Sequence, residues 1–449
     1  MHPAVLTYPP LESGENAPAT VYLSGGRGDA ALGIPWEQRT FPATGPLVVS
    51  DQRGTGRSTP SLECPEVDET TWQAMAAGTP ASQRSKESDA AFAACCARLS
   101  TTVDLDQYDT PAMAQDAEAL RRALGLDPWN VFGLSYGTSL ELELMRMHPD
   151  GVRSAVLDSV VPPDKDYGAP AEARRVDAAF DRLFAACDHS ETCKAAHPDL
   201  RASLLDIRTT LNAEPHEVHF TDASGIERTA RLTGDDVVSG VFGAMYDSTP
   251  IPLLPGVVDA VADGDLAVLD AVGAPLLASA TLNANGVARS VVCADRQRLA
   301  SSGDAQSLRT SHPLAALRVD GDGCDRWKVD AVPAADAHRL AEELGSTSTD
   351  VLFPALGHGV CQPPRPAQWA SPTSSWSTPP GRSIRSVSGP SARRSGTGRR
   401  PQAQRPRRGA TACSHPTRSA GFAPPSRRTS LPPPQRVWRD TFVEDVGVR

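Results

Sequence analysis

The feature that most constrains this chain is a short apolar run, Trp129 to Leu134, that passes without a loop into Gly133-Leu134-Ser135-Tyr136-Gly137 and then into a helical segment, Thr138 to His148. Gly-x-Ser-x-Gly alone is a weak signal, because small residues recur in turns. Between a buried strand and a helix it has a physical meaning. The two glycines let strand and helix approach closely, which leaves the serine hydroxyl exposed at the carboxyl edge of a sheet.

The surrounding sequence supplies the rest of such a sheet. Residues 19–24 (Ala-Thr-Val-Tyr-Leu-Ser) form a β-branched apolar run that stops at Gly25-Gly26, and Leu47-Val48-Val49-Ser50 repeats the pattern before Asp51-Gln52-Arg53-Gly54-Thr55-Gly56. From Thr110 to Gly125, Met113, Ala117, Leu120 and Leu124 fall at helical spacing, with Thr110-Pro111 as N-cap and first residue and Gly125 as the stop. Ser154 to Asp158 reads as a further strand. Alternation of this kind predicts an α/β fold with a mostly parallel, doubly wound sheet. Pro162-Pro163 breaks it. Residues 1–163 are therefore read as the first part of the core and residues 164–295, with few strand candidates, as a mainly helical cap. Residues 296–361 are read as the second part of the core, with Val351-Leu352-Phe353 resuming the sheet.

Composition changes after Cys361. Residues 362–449 hold 16 Arg, no Lys and three acids, a net charge of +13, which leaves −23 of the total −10 on residues 1–361. This Pro/Arg/Ser-rich stretch has too little apolar surface to offset chain entropy and reads as disordered. One reading is a basic arm for an anionic surface. The other is a frameshifted remnant, since G/C-rich codons for Arg365 to Pro390, read two nucleotides along, yield an apolar segment. The acidic body argues against nucleic acid as a partner. No apolar run approaches the roughly 18 residues of a membrane span, and Met1-His2-Pro3-Ala4 does not start a secretory leader. As written, the chain reads as cytoplasmic.

The nine cysteines point towards an oxidising compartment instead. Cys187 and Cys193 lie close together in a polar segment, Cys64 is within reach of Cys95 or Cys96, and Cys293 of Cys324. Buried free thiols are the alternative.

A serine hydroxyl is a poor nucleophile unless a general base takes its proton. Of the ten histidines, His358 alone stands between glycines just after a predicted strand, and its position after Ser135 suits the chain order of this arrangement. Acyl transfer also needs donors for the developing oxyanion. The backbone N–H groups of Gly25 or Gly26 and of Tyr136 are the candidates. No metal-ligand spacing stands out, and a serine mechanism of this type needs no cofactor.

Leu23-Ser24-Gly25-Gly26, Asp51 to Ser58, the Gly-x-Ser-Tyr-Gly turn, Cys324-x-x-Trp327 and Gly357-His358-Gly359 together resemble the prolyl/tripeptidyl aminopeptidases of the α/β-hydrolase fold, in their secreted actinobacterial form. The resemblance covers about residues 19 to 361. It implies a serine peptidase that releases short units from peptide N-termini, with Ser135 as nucleophile and His358 as base, and it implies export. A carboxylesterase or amidase with the same triad is the alternative, and a catalytically degraded remnant is another.

Three departures stand out. Arg27 replaces the proline usual in the family's Gly-Gly-Pro-Gly turn, which predicts a less rigid oxyanion loop. The strands normally upstream of residue 19 are almost missing, which reads as an N-terminal truncation that would also remove the leader. The strand that should carry the triad acid is missing after Trp327. Asp330, 28 positions before His358, is the candidate acid all the same, with Asp158 as the substitute.

Overall fold

The computed structural model describes residues 1–10, 17–34, 45–161, 166, 168–222, 225–278, 285–296 and 303–319, together with Cys324, Trp327 and Val329. Its centre is a five-stranded sheet of β1 (Val5–Tyr8), β2 (Thr20–Leu23), β3 (Leu47–Ser50), β4 (Trp129–Leu134) and β5 (Val152–Asp158). The order is β1-β3-β2-β4-β5. β1 runs antiparallel to β3 and the other pairs are parallel. The segment before residue 19 contributes one short strand, β1. Its short run of Val5, Leu6, Thr7 and Tyr8 lies beside Pro9-Pro10, which masked it as a strand in the sequence.

Side chains alternate across a strand, so both faces of the central strands must be apolar where helices or loops cover both. Val21, Leu23, Val48 and Val131 enter one buried cluster, while Tyr22, Leu47, Val49, Phe132 and Leu134 enter another on the opposite face. This explains the near-continuous apolar runs that mark these strands in the sequence.

The first cluster is closed by α1 (Pro65–Ala77), α2 (Ala81–Leu99), α3 (Thr110–Ala123) and α4 (Tyr136–Met147). The start of α3 differs from the expectation by one residue. Asp109, not Thr110, is the N-cap, and its carboxylate accepts from the Ala112 N–H at 2.7 Å. Burial raises the pKa of this carboxyl despite that bond. Gly125 adopts φ +64° just past the helix, the left-handed stop expected of it.

The next helices are α5 (Ala169–His189), α6 (Glu191–Ala196), α7 (Leu200–Ala213), α8 (Gly234–Ala244), α9 (Leu254–Ala262) and α10 (Ala267–Ala278). All but α6 bury side chains in a second core, built around Phe180, Leu204, Ile207 and Val258. That core also contains an antiparallel hairpin, β6 (His216–Thr221) paired with β7 (Glu227–Leu232). The region is otherwise helical, and the sequence reading does not single out this hairpin. The alternation Val218, Phe220 inward and Ala230, Leu232 inward, with Gly225 at φ +83° between them, was the available signal.

α11 (Asn285–Arg296) packs Val287, Val291, Cys293 and Ala294 back into the first core, and α12 (Ala305–Ser311) follows. Trp327 is fully buried there, its indole N–H donating to Ser290 Oγ at 2.9 Å and its ring meeting Phe92 edge-on at 6.2 Å. Disulfides join Cys64 to Cys95, Cys187 to Cys193 and Cys293 to Cys324, with Cα separations of 5.5, 5.1 and 5.3 Å. Cys96 is a buried free thiol.

Candidate active site

β4 ends at Leu134 and α4 begins at Tyr136, so the whole reversal falls on Ser135. Its backbone sits at φ 52°, ψ −117°, a region that side-chain-bearing residues rarely occupy and that costs of order 1–3 kcal/mol. Three contacts hold it there. The Ser135 N–H donates to the Asp158 carbonyl at 2.9 Å, and the Ser135 carbonyl accepts from the Thr138 N–H at 2.9 Å and the Thr138 hydroxyl at 2.6 Å.

The neighbouring glycines are fixed by contact rather than by freedom of φ. A Cβ on Gly137 would stand 2.0 Å from the Leu23 carbonyl oxygen, and one on Gly133 would meet Glu141 Oε2 at 2.4 Å and the Gly137 carbonyl oxygen at 2.7 Å. Helix α4 therefore rests directly on the backbone of β2 and β4. Only hydrogen at both positions permits this, and the half-buried Ser135 remains at the carboxyl edge of the sheet.

The loop after β2 closes over the same point. A Cβ on Gly25 would lie 3.1 Å from Ser135 Cβ, so the backbone of this loop passes against the serine. Gly26 follows at φ +68°. The arrangement juxtaposes Gly25 and Gly26 with the start of α4, where Tyr136 sits. Arg27, where the family pattern has proline, places its guanidinium 5.0 Å from the centre of the Tyr136 ring. Such a cation–π pair is worth about 0.5–2 kcal/mol.

Tyr136 is held from its far end as well. Its hydroxyl meets Thr110 Oγ1 at 2.8 Å and Met113 Sδ at 3.4 Å, and Thr110 Oγ1 donates to Asp295 Oδ2 on α11. Beside it, the Asp51–Ser58 turn is braced internally. Asp51 accepts from the Leu32 and Arg57 amides, and Arg53 is buried against Asp116, with both bonds 2.7 Å long. Gln52 Nε2 reaches Ser24 Oγ at 3.3 Å, which connects this turn to the loop over Ser135. The Asp51–Ser58 segment is thus tied to the loop that passes over Ser135.

Asp158 ends β5, 3% exposed, with its carbonyl on the Ser135 amide and its Oδ1 accepting from Ser159 Oγ at 3.0 Å. His358 and Asp330, the expected base and acid, and Val351-Leu352-Phe353 lie outside the described residues. Among the described residues no group of three His, Cys, Asp or Glu side chains is placed to hold a metal ion.

One buried carboxyl at this site was not singled out from the sequence. Glu141, two turns along α4 from the serine, is completely buried. Burial pushes its pKa well above the carboxylate range, opposed by the main-chain N–H groups of Gly133 and Val156. Its sequence signal is positional: Gly137 and Glu141 lie one turn apart on the stripe of α4 that meets the sheet.

A profile of the α/β-hydrolase fold matches residues 46–209. Over 163 residues the chain is 32% identical to a tripeptidyl aminopeptidase of Streptomyces coelicolor, a match covering 34% of this chain and 30% of that protein. A probable proline iminopeptidase of the same organism is 28% identical over 246 residues, covering 55% and 58% of the two chains. The serine protease Hip1 of Mycobacterium bovis is 27% identical over 184 residues, covering 40% and 34%. The matches thus span from about a third to somewhat over half of these relatives' lengths. With its mostly parallel sheet, its strained serine between β4 and α4, and these matches, the chain has an α/β-hydrolase fold with homology, at modest identity, to tripeptidyl aminopeptidase and proline iminopeptidase.

Proposed function

We propose that this protein is a serine hydrolase that acts on peptides from the N-terminus by acyl-enzyme catalysis. The observation that carries the reading is Ser135 at φ 52°, with the Gly25 backbone packed against its Cβ. Ser135 Oγ attacks the carbonyl carbon while His358 takes its proton. The tetrahedral oxyanion is held by the amides of Tyr136 and of Gly25 or Gly26, and the proton then passes from His358 to the leaving amine. Water, activated by the same base, releases the acyl unit. The peptidase direction rests on the relatives named tripeptidyl aminopeptidase, proline iminopeptidase and serine protease.

Asp330 is the proposed orienting acid. A second assignment, Asp158, is favoured by its main-chain bond to Ser135, which places it at the same sheet edge. Asp330→Asn and Asp158→Asn separate them, because only loss of the true acid lowers turnover by orders of magnitude while the fold is retained. Three disulfides support an oxidising, extracellular setting.

The first test is labelling of folded full-length protein by a fluorophosphonate, a reagent that needs an activated serine and little substrate recognition. Labelling is expected in the wild type and absent in Ser135→Ala. Folded wild-type protein that fails to label overturns the enzyme reading and leaves a degraded hydrolase. Peptide p-nitroanilides against p-nitrophenyl esters then separate an aminopeptidase from a carboxylesterase or amidase.

A further inference from the structure

Glu141 presents an unusual combination of position and chemistry. It lies on the face of α4 that meets the sheet, directly behind the turn that carries Ser135, with no solvent exposure. Its Oε1 accepts from the Val156 N–H of β5 at 3.1 Å. Its Oε2 lies against Gly133 of β4, one residue before Leu134, and has no hydrogen-bond partner in good geometry among the described residues. A single carboxyl therefore spans α4, β4 and β5 at the point where the nucleophile leaves the sheet.

No described cation balances it. β4 carries no titratable side chain, and β5 offers only the exposed Arg153 and the buried Asp158, whose Oδ1 is bonded to Ser159. On β2 the one titratable group is Tyr22, packed in the opposite-face cluster. On α3, Glu118 is taken by Arg121 and Arg122 and Asp116 by Arg53, and on α4 itself Glu143 is taken by Arg146 while the Tyr136 hydroxyl is held by Thr110. An ionised carboxylate fixed there would be a buried, unpaired charge, which proteins avoid by keeping the group neutral or by moving it.

We propose that Glu141 is a positioning residue for Ser135 that works only as the neutral acid. Protonated, it fills the space under Gly133, ties α4 to β5 and keeps the strained turn in its reactive conformation. Ionised, it cannot stay in this dry site, α4 separates from the sheet at Gly133, and Ser135 loses its alignment with the oxyanion donors. The proposal rests on the serine-hydrolase reading for its catalytic consequence, and its effect on folding is independent of that reading.

The predicted signature is an alkaline limb. A serine–histidine pair gains reactivity as the imidazole loses its proton and then stays level. Loss of the Glu141 proton would instead lower reactivity by about tenfold per pH unit beyond its ionisation, reversibly. The experiment is the second-order rate of fluorophosphonate labelling of the full chain from pH 6 to pH 10, with circular dichroism at each point, for wild type, Glu141→Gln and Ser135→Ala. The expected result is an alkaline fall in wild type that is absent in Glu141→Gln, a residue that stays neutral. Coincident profiles for wild type and Glu141→Gln overturn the proposal.

Urea unfolding at the same pH values reads the same proton without catalysis. The folded state holds it where the unfolded chain has released it, so wild-type stability falls as pH rises from about 4.3 towards the raised folded value. The unfolding equilibrium of wild type relative to Glu141→Gln should shift by up to about tenfold per pH unit over that range. A difference independent of pH overturns the proposal. Should wild type not label at all, the enzyme reading fails and this arm alone decides. Should Glu141→Gln not fold, Glu141→Met takes its place in the unfolding series.

Discussion

At the scale of single residues, the site depends on groups that are absent as much as on groups that are present. Gly137 has no room for a methyl: the Leu23 carbonyl oxygen would be 2.0 Å away, and it belongs to a central strand that cannot yield. Gly137→Ala should therefore cost about 3 kcal/mol of stability, at the upper end of overpacking effects, read as a lower denaturant midpoint. Gly243→Ala is the matched control, because a methyl there meets nothing within 4 Å and glycine costs a helix roughly 1 kcal/mol relative to alanine. That variant should be neutral or slightly stabilised.

At the scale of elements, capping and crosslinks fix how the helices meet the sheet. Asp109 caps α3 and sits at the junction with Tyr108 and Thr110, the latter linking to Tyr136. Asp109→Ala should lower stability by about 1 kcal/mol through the lost cap. The same change should slow fluorophosphonate labelling, because Thr110 is what holds the far end of Tyr136. Equal labelling rates would show that α3 does not bear on the nucleophile. The sequence located α3, β4, α4 and β5 because their periodicities are long and their stops are Gly125 and Pro149. It did not reveal α1 and α2, whose Ala-rich, polar runs lack an apolar stripe, nor the β6–β7 hairpin, whose inward positions number only two per strand. Nor did it distinguish Cys95 from Cys96. Neighbouring helix positions point about 100° apart, so which thiol meets Cys64 depends on how α2 packs on α1.

At the scale of the whole molecule, the sheet is well covered at its centre, and among the described residues β5 is an outermost strand with little cover. Residues Arg153 to Val156 are exposed, and Val160 just beyond is 52% exposed. An open strand edge with apolar neighbours invites pairing with other chains. Val160→Lys should slow aggregation during refolding, measured by light scattering, and leave the denaturant midpoint within about 0.5 kcal/mol of wild type. An unchanged aggregation rate would place the sticky surface elsewhere. No helix among the described residues is long and apolar enough to cross a membrane.

By itself the sequence determined the strand–turn–helix that carries Ser135, because that feature is local. An apolar run, two glycines and a helix start are consecutive in the chain, and their steric demands are met within a few residues. It offered three candidate cysteine pairings beside the alternative of free thiols, and the structure joins Cys64 to Cys95, Cys187 to Cys193 and Cys293 to Cys324. The tertiary structure decided what depends on distant segments meeting: that the Gly25 backbone rests on Ser135, that Arg27 lies over Tyr136, and that the Asp51–Ser58 turn reaches Ser24 and Asp116. It decided, too, that Glu141 is buried with no counter-charge among the described residues. Each of these is a contact between residues far apart in sequence, and the energy of such a contact is set by burial and geometry that no single segment encodes.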